Sequence, residues 1–67
     1  MFKPGDDVKV IQTTQHAPGL RTVTTVYRTV HGLTYAGSIV TGINTTQGDW
    51  FPLDDPSAVT IQLTEDN

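Results

Sequence analysis

Few side chains here are of the types that do covalent chemistry. A nucleophile–base pair would have to be drawn from His16, His31, Ser38 and Ser57. Histidine activates a serine hydroxyl, or holds a metal, only where the fold converges the groups. Neither serine stands in the Gly-x-Ser-x-Gly turn that exposes a nucleophile. Asp54 and Asp55 form a carboxylate pair, but neighbours on an extended chain point apart. They read instead as the start of a one-turn 3₁₀ connector, where Asp accepts from free N–H groups. The chain has no cysteine, which excludes a thiolate nucleophile, a Cys-ligated zinc and an iron–sulfur centre. The expectation is a non-enzymatic protein with no catalytic residue, no metal and no cofactor. Asn44-Thr45-Thr46 matches a glycosylation sequon, a three-residue pattern expected by chance in a chain this rich in threonine.

The aromatic residues offer more. Trp50, Phe51 and Pro52 are consecutive, and consecutive strand residues face opposite ways. Phe51 shares its parity with Leu53 and is expected in the core. Trp50 is then left outward beside Pro52, which has no N–H and cannot extend a sheet. A rigid aromatic against a proline is the chemistry of an interaction anchor. Trp50 and Pro52, joined by Tyr35, are the expected partner-binding residues. The alternative is that Trp50 only covers one end of the sheet. Tyr27 and Tyr35 flank His31-Gly32, and a hairpin turning there would set them opposite each other. Such a pair stabilises a hairpin by ~0.2–1 kcal/mol, or serves as a stacking platform for a base or a peptide.

Charge narrows the partner. Lys3, Lys9, Arg21 and Arg28 stand against seven acidic residues, for a net charge of −3. Four basic residues build little of the basic face a duplex binder needs, so nucleic acid is not the expected partner. Neither a small-molecule substrate nor a membrane is indicated. No run approaches the roughly 20 apolar residues of a membrane helix, and the N-terminus has no apolar core of a signal peptide. The expected location is the cytoplasm.

The elements that must position these residues are strands. With 67 residues there is room for one domain, whose small core leaves stability marginal. Val8-Lys9-Val10-Ile11-Gln12 alternates as a first strand, and Thr13 to Gly19 reads as a loop ending in a Pro-Gly turn. Leu20 to Val30, dense in β-branched residues, is the second strand. A bulge near Thr24-Thr25 would bring Val23 and Val26 to one face, and His31-Gly32 is the next turn. Thr34 to Asn44 is the third strand, in which Gly37 and Gly42 suggest a sharp bend or a close backbone approach. After a Thr45–Gly48 turn, Trp50–Leu53 is the short fourth strand and Val59–Leu63 the fifth. The expected core is Val8, Val10, Val23, Val26, Ile39, Ile43, Phe51, Val59, Ile61 and Leu63. Residues 64–67 form a polar tail. Threonine-rich outer strands with few charges are weakly protected against edge pairing, so self-association is a second kind of partnership to expect.

Three segments carry a resemblance. Phe2-Lys3-Pro4-Gly5-Asp6-Asp7-Val8-Lys9-Val10 resembles the x-x-P-G-D-x-V-x-V opening of SH3-like small barrels. Pro18 to Val26 is similar to the Gly-x-x-Gly-x-Val stretch of KOW-type barrels, with Thr22 in place of that motif's second glycine. Gly48-Asp49-Trp50-Phe51-Pro52-Leu53, followed by Ala58-Val59, is similar to the Gly-x-Phe-Pro-x-x-x-Val ending of the superfamily. The resemblance implies an all-β, five-stranded SH3-like barrel over residues 1–63 and suggests a small phage or bacterial accessory protein. It implies no polyproline site, because the Ala-Leu-Tyr-Asp-Tyr stretch and the earlier tryptophan of such a groove are absent. The leading reading is a protein-interaction module. The alternatives are a nucleic-acid-associated KOW-like barrel using Lys9, Arg21, Arg28 and the tyrosines, and a structural subunit assembling through its edges.

Overall fold

A computed structural model describes residues 2–64. The chain is all-β: five antiparallel strands, β1 (Asp7–Ala17), β2 (Leu20–Ala36), β3 (Ile39–Thr45), β4 (Trp50–Pro52) and β5 (Val59–Leu63), in the order β4-β3-β2-β1-β5. The first half of β2 pairs with β1, which pairs with β5 on its other side. The second half of β2 pairs with β3, which pairs with β4. The long β2 therefore belongs to two sub-sheets, and the core lies between them.

The expected barrel is not closed. β4 and β5 remain the two outermost strands, with no pairing between them among the described residues. β4 has three residues, ends at Pro52, and the next N–H, that of Leu53, already donates to Thr41 O at 2.8 Å. Too little strand remains there to reach β5.

The His31-Gly32 turn is also corrected. β2 runs straight through it, and the reversal comes at Gly37-Ser38. Gly37 has φ 65°, while no non-glycine among the described residues has positive φ, which is the signature of a type II′ hairpin turn. His31 is instead a bulge: Val30 pairs with Thr45 and Gly32 with Asn44, leaving His31 unopposed. An extra residue reverses the alternation, so Val30 and Leu33, three apart, both face the core. The out-of-step spacing expected for Val23 and Val26 thus belongs further along. Tyr27 pairs with Lys9 and Tyr35 with Val40, so the tyrosine pair does not form.

Val8, Val10, Val30, Ile43 and Phe51 are buried, with Val26, Leu33, Val59, Ile61, Phe2 and Leu53 packed against them. Three expected core residues are exposed. Val23 (58% exposed) lies on an arm: β1 continues to Ala17 where a loop was expected, and beyond Gln12 it has no β5 partner residue, so a two-stranded ribbon projects there. Ile39 (69% exposed) sits against the Gly37-Ser38 turn, past the end of the core. Leu63 has the correct parity, opposite Val8, but ends an edge strand. Before β5, Asp55 O accepts from the N–H groups of Ala58 and Val59 and its carboxylate from Ser57, which makes a plain turn rather than the expected 3₁₀ helix. Of the expected tail, Thr64 is tied to Asp7 O through both its N–H and its hydroxyl. Residues 65–67 lie outside the described residues.

Candidate functional site

β4 turns its residues as their alternation requires. Phe51 is 5% exposed and enters the core opposite Ile43, while Trp50 is 48% exposed on the other face opposite Asn44. The indole does not project into solvent. It leans from β4 across Gly42 of β3, and its Nε1 donates to Thr34 Oγ1 of β2 at 3.0 Å. A Cβ placed on Gly42 would come within 2.3 Å of the indole Cζ2. The glycine is what allows the ring to lie against the strand, the close approach expected of a glycine in a strand interior. Asn44 Nδ2 donates to the same Thr34 hydroxyl at 3.1 Å. That oxygen accepts twice and keeps its own O–H to donate.

Pro52 pairs with Gly42 and so shares this face. Trp50, Pro52, Thr34 and Asn44 form one patch: an apolar ring and a proline, bordered by an amide and a hydroxyl. Tyr35 does not join it. It follows Thr34 on β2 with no bulge in that strand between Leu33 and Tyr35, so it has the parity of Leu33, on the opposite face. The sequence pattern held no signal for Thr34 and Asn44, because their role depends on a three-strand register.

A second polar group lies at the β3–β4 turn. Thr45 is the buried polar side chain among the described residues, and its hydroxyl donates to the Asp49 carboxylate. Arg28 Nε donates to both Asp49 oxygens at 3.2 and 3.3 Å, and its Nη1 donates to Tyr27 O at 2.9 Å. The Thr45 hydroxyl first, with Arg28 and the Asp49 N–H adding to it, holds the Asp49 carboxyl below its ordinary value. A carboxyl lowered in the folded state stabilises the fold above its unfolded pKa, and that contribution is lost as pH falls through the lowered value. Asp49→Asn is therefore expected to lower the melting temperature at neutral pH. The gap from the unaltered protein should close as both are acidified through and below the carboxylate range. A gap independent of pH would show that the charge of Asp49 does not matter.

A groove of about 320 Å³ adjoins this network, lined by Asp7, Tyr27, Arg28, Thr29, Gln47 and Thr64 among others. Arg28 is already committed to Asp49, and Asp7 accepts from the Thr29 hydroxyl at 2.9 Å. His16 is bonded to Thr22 at 2.8 Å, and among the described residues no three metal-ligating side chains converge. Among the described residues no helix is long and apolar enough to cross a membrane. Compared with known proteins, the chain matches no family, no curated protein and no solved structure.

Proposed function

We propose that this chain is a non-enzymatic protein-interaction module, an open relative of the SH3-like small barrels, that binds its partner with the Trp50–Pro52 face. One observation carries the reading. Trp50 is half exposed yet fixed, pressed on Gly42 and bonded to Thr34. An aromatic already held in place loses little freedom on binding, and rigid aromatics next to adaptable polar groups are what binding surfaces use. Nucleic acid fits less well. Arg28 is paired with Asp49, and Arg21 lies six positions along β2 from Tyr27, the residue opposite Lys9. That places the two cations about 20 Å apart, beyond a Debye length of about 8 Å at physiological salt.

Trp50→Ala tests the reading. The variant should fold, with its melting temperature little changed, and lose at least about tenfold in affinity for a protein retained specifically by the unaltered chain. Because Trp50 is the single tryptophan, its emission should also shift when that purified protein is titrated in. Unchanged affinity would move the functional face elsewhere. Unfolding would make Trp50 a structural residue.

A further inference from the structure

The first half of β2 has an open edge. β3 begins its pairing at Val30, and among the described residues nothing pairs with the other side of 20–28. Which groups this edge offers follows from the register. Thr29 O points away from β1, since it accepts from Thr46 N, whereas Val30 N–H and C=O point toward the β1 side, at Asp6 and Gly5. Successive residues alternate, so Arg21, Val23, Thr25 and Tyr27 turn their N–H and C=O groups to the open side. Such a row of unpaired groups recognises an extended strand. Of the usual protections this stretch carries only the charges of Arg21 and of Arg28, the latter paired with Asp49; no proline, no lysine and no acidic residue stands from 20 to 28.

The apolar surface points to the same place. Leu20, Val23 and Tyr27, three of the seven large apolar side chains exposed among the described residues, lie on this stretch. All residues from Pro18 to Thr25 are exposed. The molecule has 4611 Å² of accessible surface, where a compact monomer of its 7.3 kDa would have about 4,200 Å². Its radius of gyration is 12.7 Å, against about 11 Å for a compact domain of this length.

We propose that the occupant is a second copy of this chain, paired antiparallel β2 to β2 about a two-fold axis at Thr24. The edge is complementary to itself in that register. Arg21 meets Tyr27 of the second copy, Val23 meets Thr25, and the two reciprocal pairs follow by symmetry. All four edge residues of each copy are then bonded. Shifting the register by two positions either way leaves edge groups of Arg21 or Tyr27 without a strand partner. The charges agree: each Arg21 guanidinium lies against a Tyr27 ring, a favourable contact, and no two cations are directly opposed. The length agrees too. Leu20 of the second copy falls opposite Arg28, one position short of Thr46, which occupies the slot at Thr29. The product is one continuous sheet, β5-β1-β2-β2-β1-β5. This proposal is independent of the Trp50 face.

The native chain has no cysteine, so single cysteines report the register directly. At the two-fold, a residue meets itself as a non-hydrogen-bonded pair about 4.5 Å apart between Cα atoms, within disulfide reach. Thr24→Cys should oxidise to a covalent dimer far faster than Thr22→Cys, whose two copies lie about 13 Å apart. In sedimentation velocity the unaltered chain should reach twice its monomer mass as concentration rises. Tyr27→Lys, which sets like charges opposite at both ends, should weaken that association by about tenfold. Arg21→Glu added to Tyr27→Lys should restore it. A chain that stays monomeric up to millimolar concentration, equal cross-linking at both positions, or no rescue by the double variant overturns the proposal. Each of these outcomes leaves the Trp50 reading as it stands.

Discussion

Phe51→Ala is expected to unfold the domain at physiological temperature. Phe51 is the largest of the five buried apolar side chains among the described residues and the one β4 contributes to the core, where it meets Ile43 across the strand pair. Truncating a buried phenylalanine costs about 3–5 kcal/mol, from lost transfer energy and the cavity left behind. A core this small in a chain without disulfides supplies rarely more than about 3–5 kcal/mol of net stability. The two quantities are of the same size, so the variant should lose its cooperative thermal transition. Leu53→Ala, next on the same face but only partly buried, should fold with a lowered midpoint. Far-UV circular dichroism against temperature checks both. A Phe51→Ala protein melting within a few degrees of the unaltered one would mean that β4 does not close the core as described.

The strands that carry the core were legible in the sequence, and the reasons are local. Val8-Lys9-Val10 and Val59-Thr60-Ile61 alternate cleanly, and the structure places both as expected, in register with one another: Val10 is opposite Ile61. The opposition of Trp50 and Phe51 was legible for the same reason, since period-two alternation needs no knowledge of neighbours. What was not legible depended on length and partners. Nothing in Thr13–Ala17 marks it as loop or strand. It is a strand because β2 lies opposite, Thr13 to Val23 and Thr14 to Thr22. His31-Gly32 has turn-forming residues but is a bulge, because the real reversal has Gly37 at a position that demands positive φ. Moving that turn by six residues separates Tyr27 from Tyr35 and sends Tyr35 to the face away from Trp50. The bond partners of Trp50 were beyond reach for a related reason: Thr34, Asn44 and Trp50 meet only once the registers of β2, β3 and β4 are all fixed.

Gly42→Ala is expected to dismantle the Trp50 patch while leaving the fold in place. Gly42 pairs with Thr34 on one side and Pro52 on the other, and its backbone conformation is one any residue adopts. The whole effect of a methyl group is therefore steric. It would stand 2.3 Å from Cζ2, 2.5 Å from Cε2 and 2.6 Å from Nε1 of Trp50. No contact that short survives, and backbone paired on both sides is a stiffer neighbour than a half-exposed side chain. The indole must leave. When it does, the bond from Nε1 to Thr34 breaks. Thr34 then keeps Asn44 as its donor, so the three-strand register is retained. Crowding of this kind costs about 1–3 kcal/mol, and replacing glycine by alanine in a strand returns about 0.5–1 kcal/mol. The net change of about 0–2.5 kcal/mol lowers the melting temperature without abolishing folding. The larger change is in the ring. Tryptophan emission should move to the red as the indole enters water, its near-UV dichroism should collapse, and partner affinity should drop as far as in Trp50→Ala. Thr34→Val separates the two supports, since it removes the acceptor without placing a methyl on β3, and should disturb the ring less. Unchanged emission and dichroism in Gly42→Ala would show that the indole does not rest on Gly42. Altered spectra with undiminished affinity would show that a fixed Trp50 is not what the partner reads.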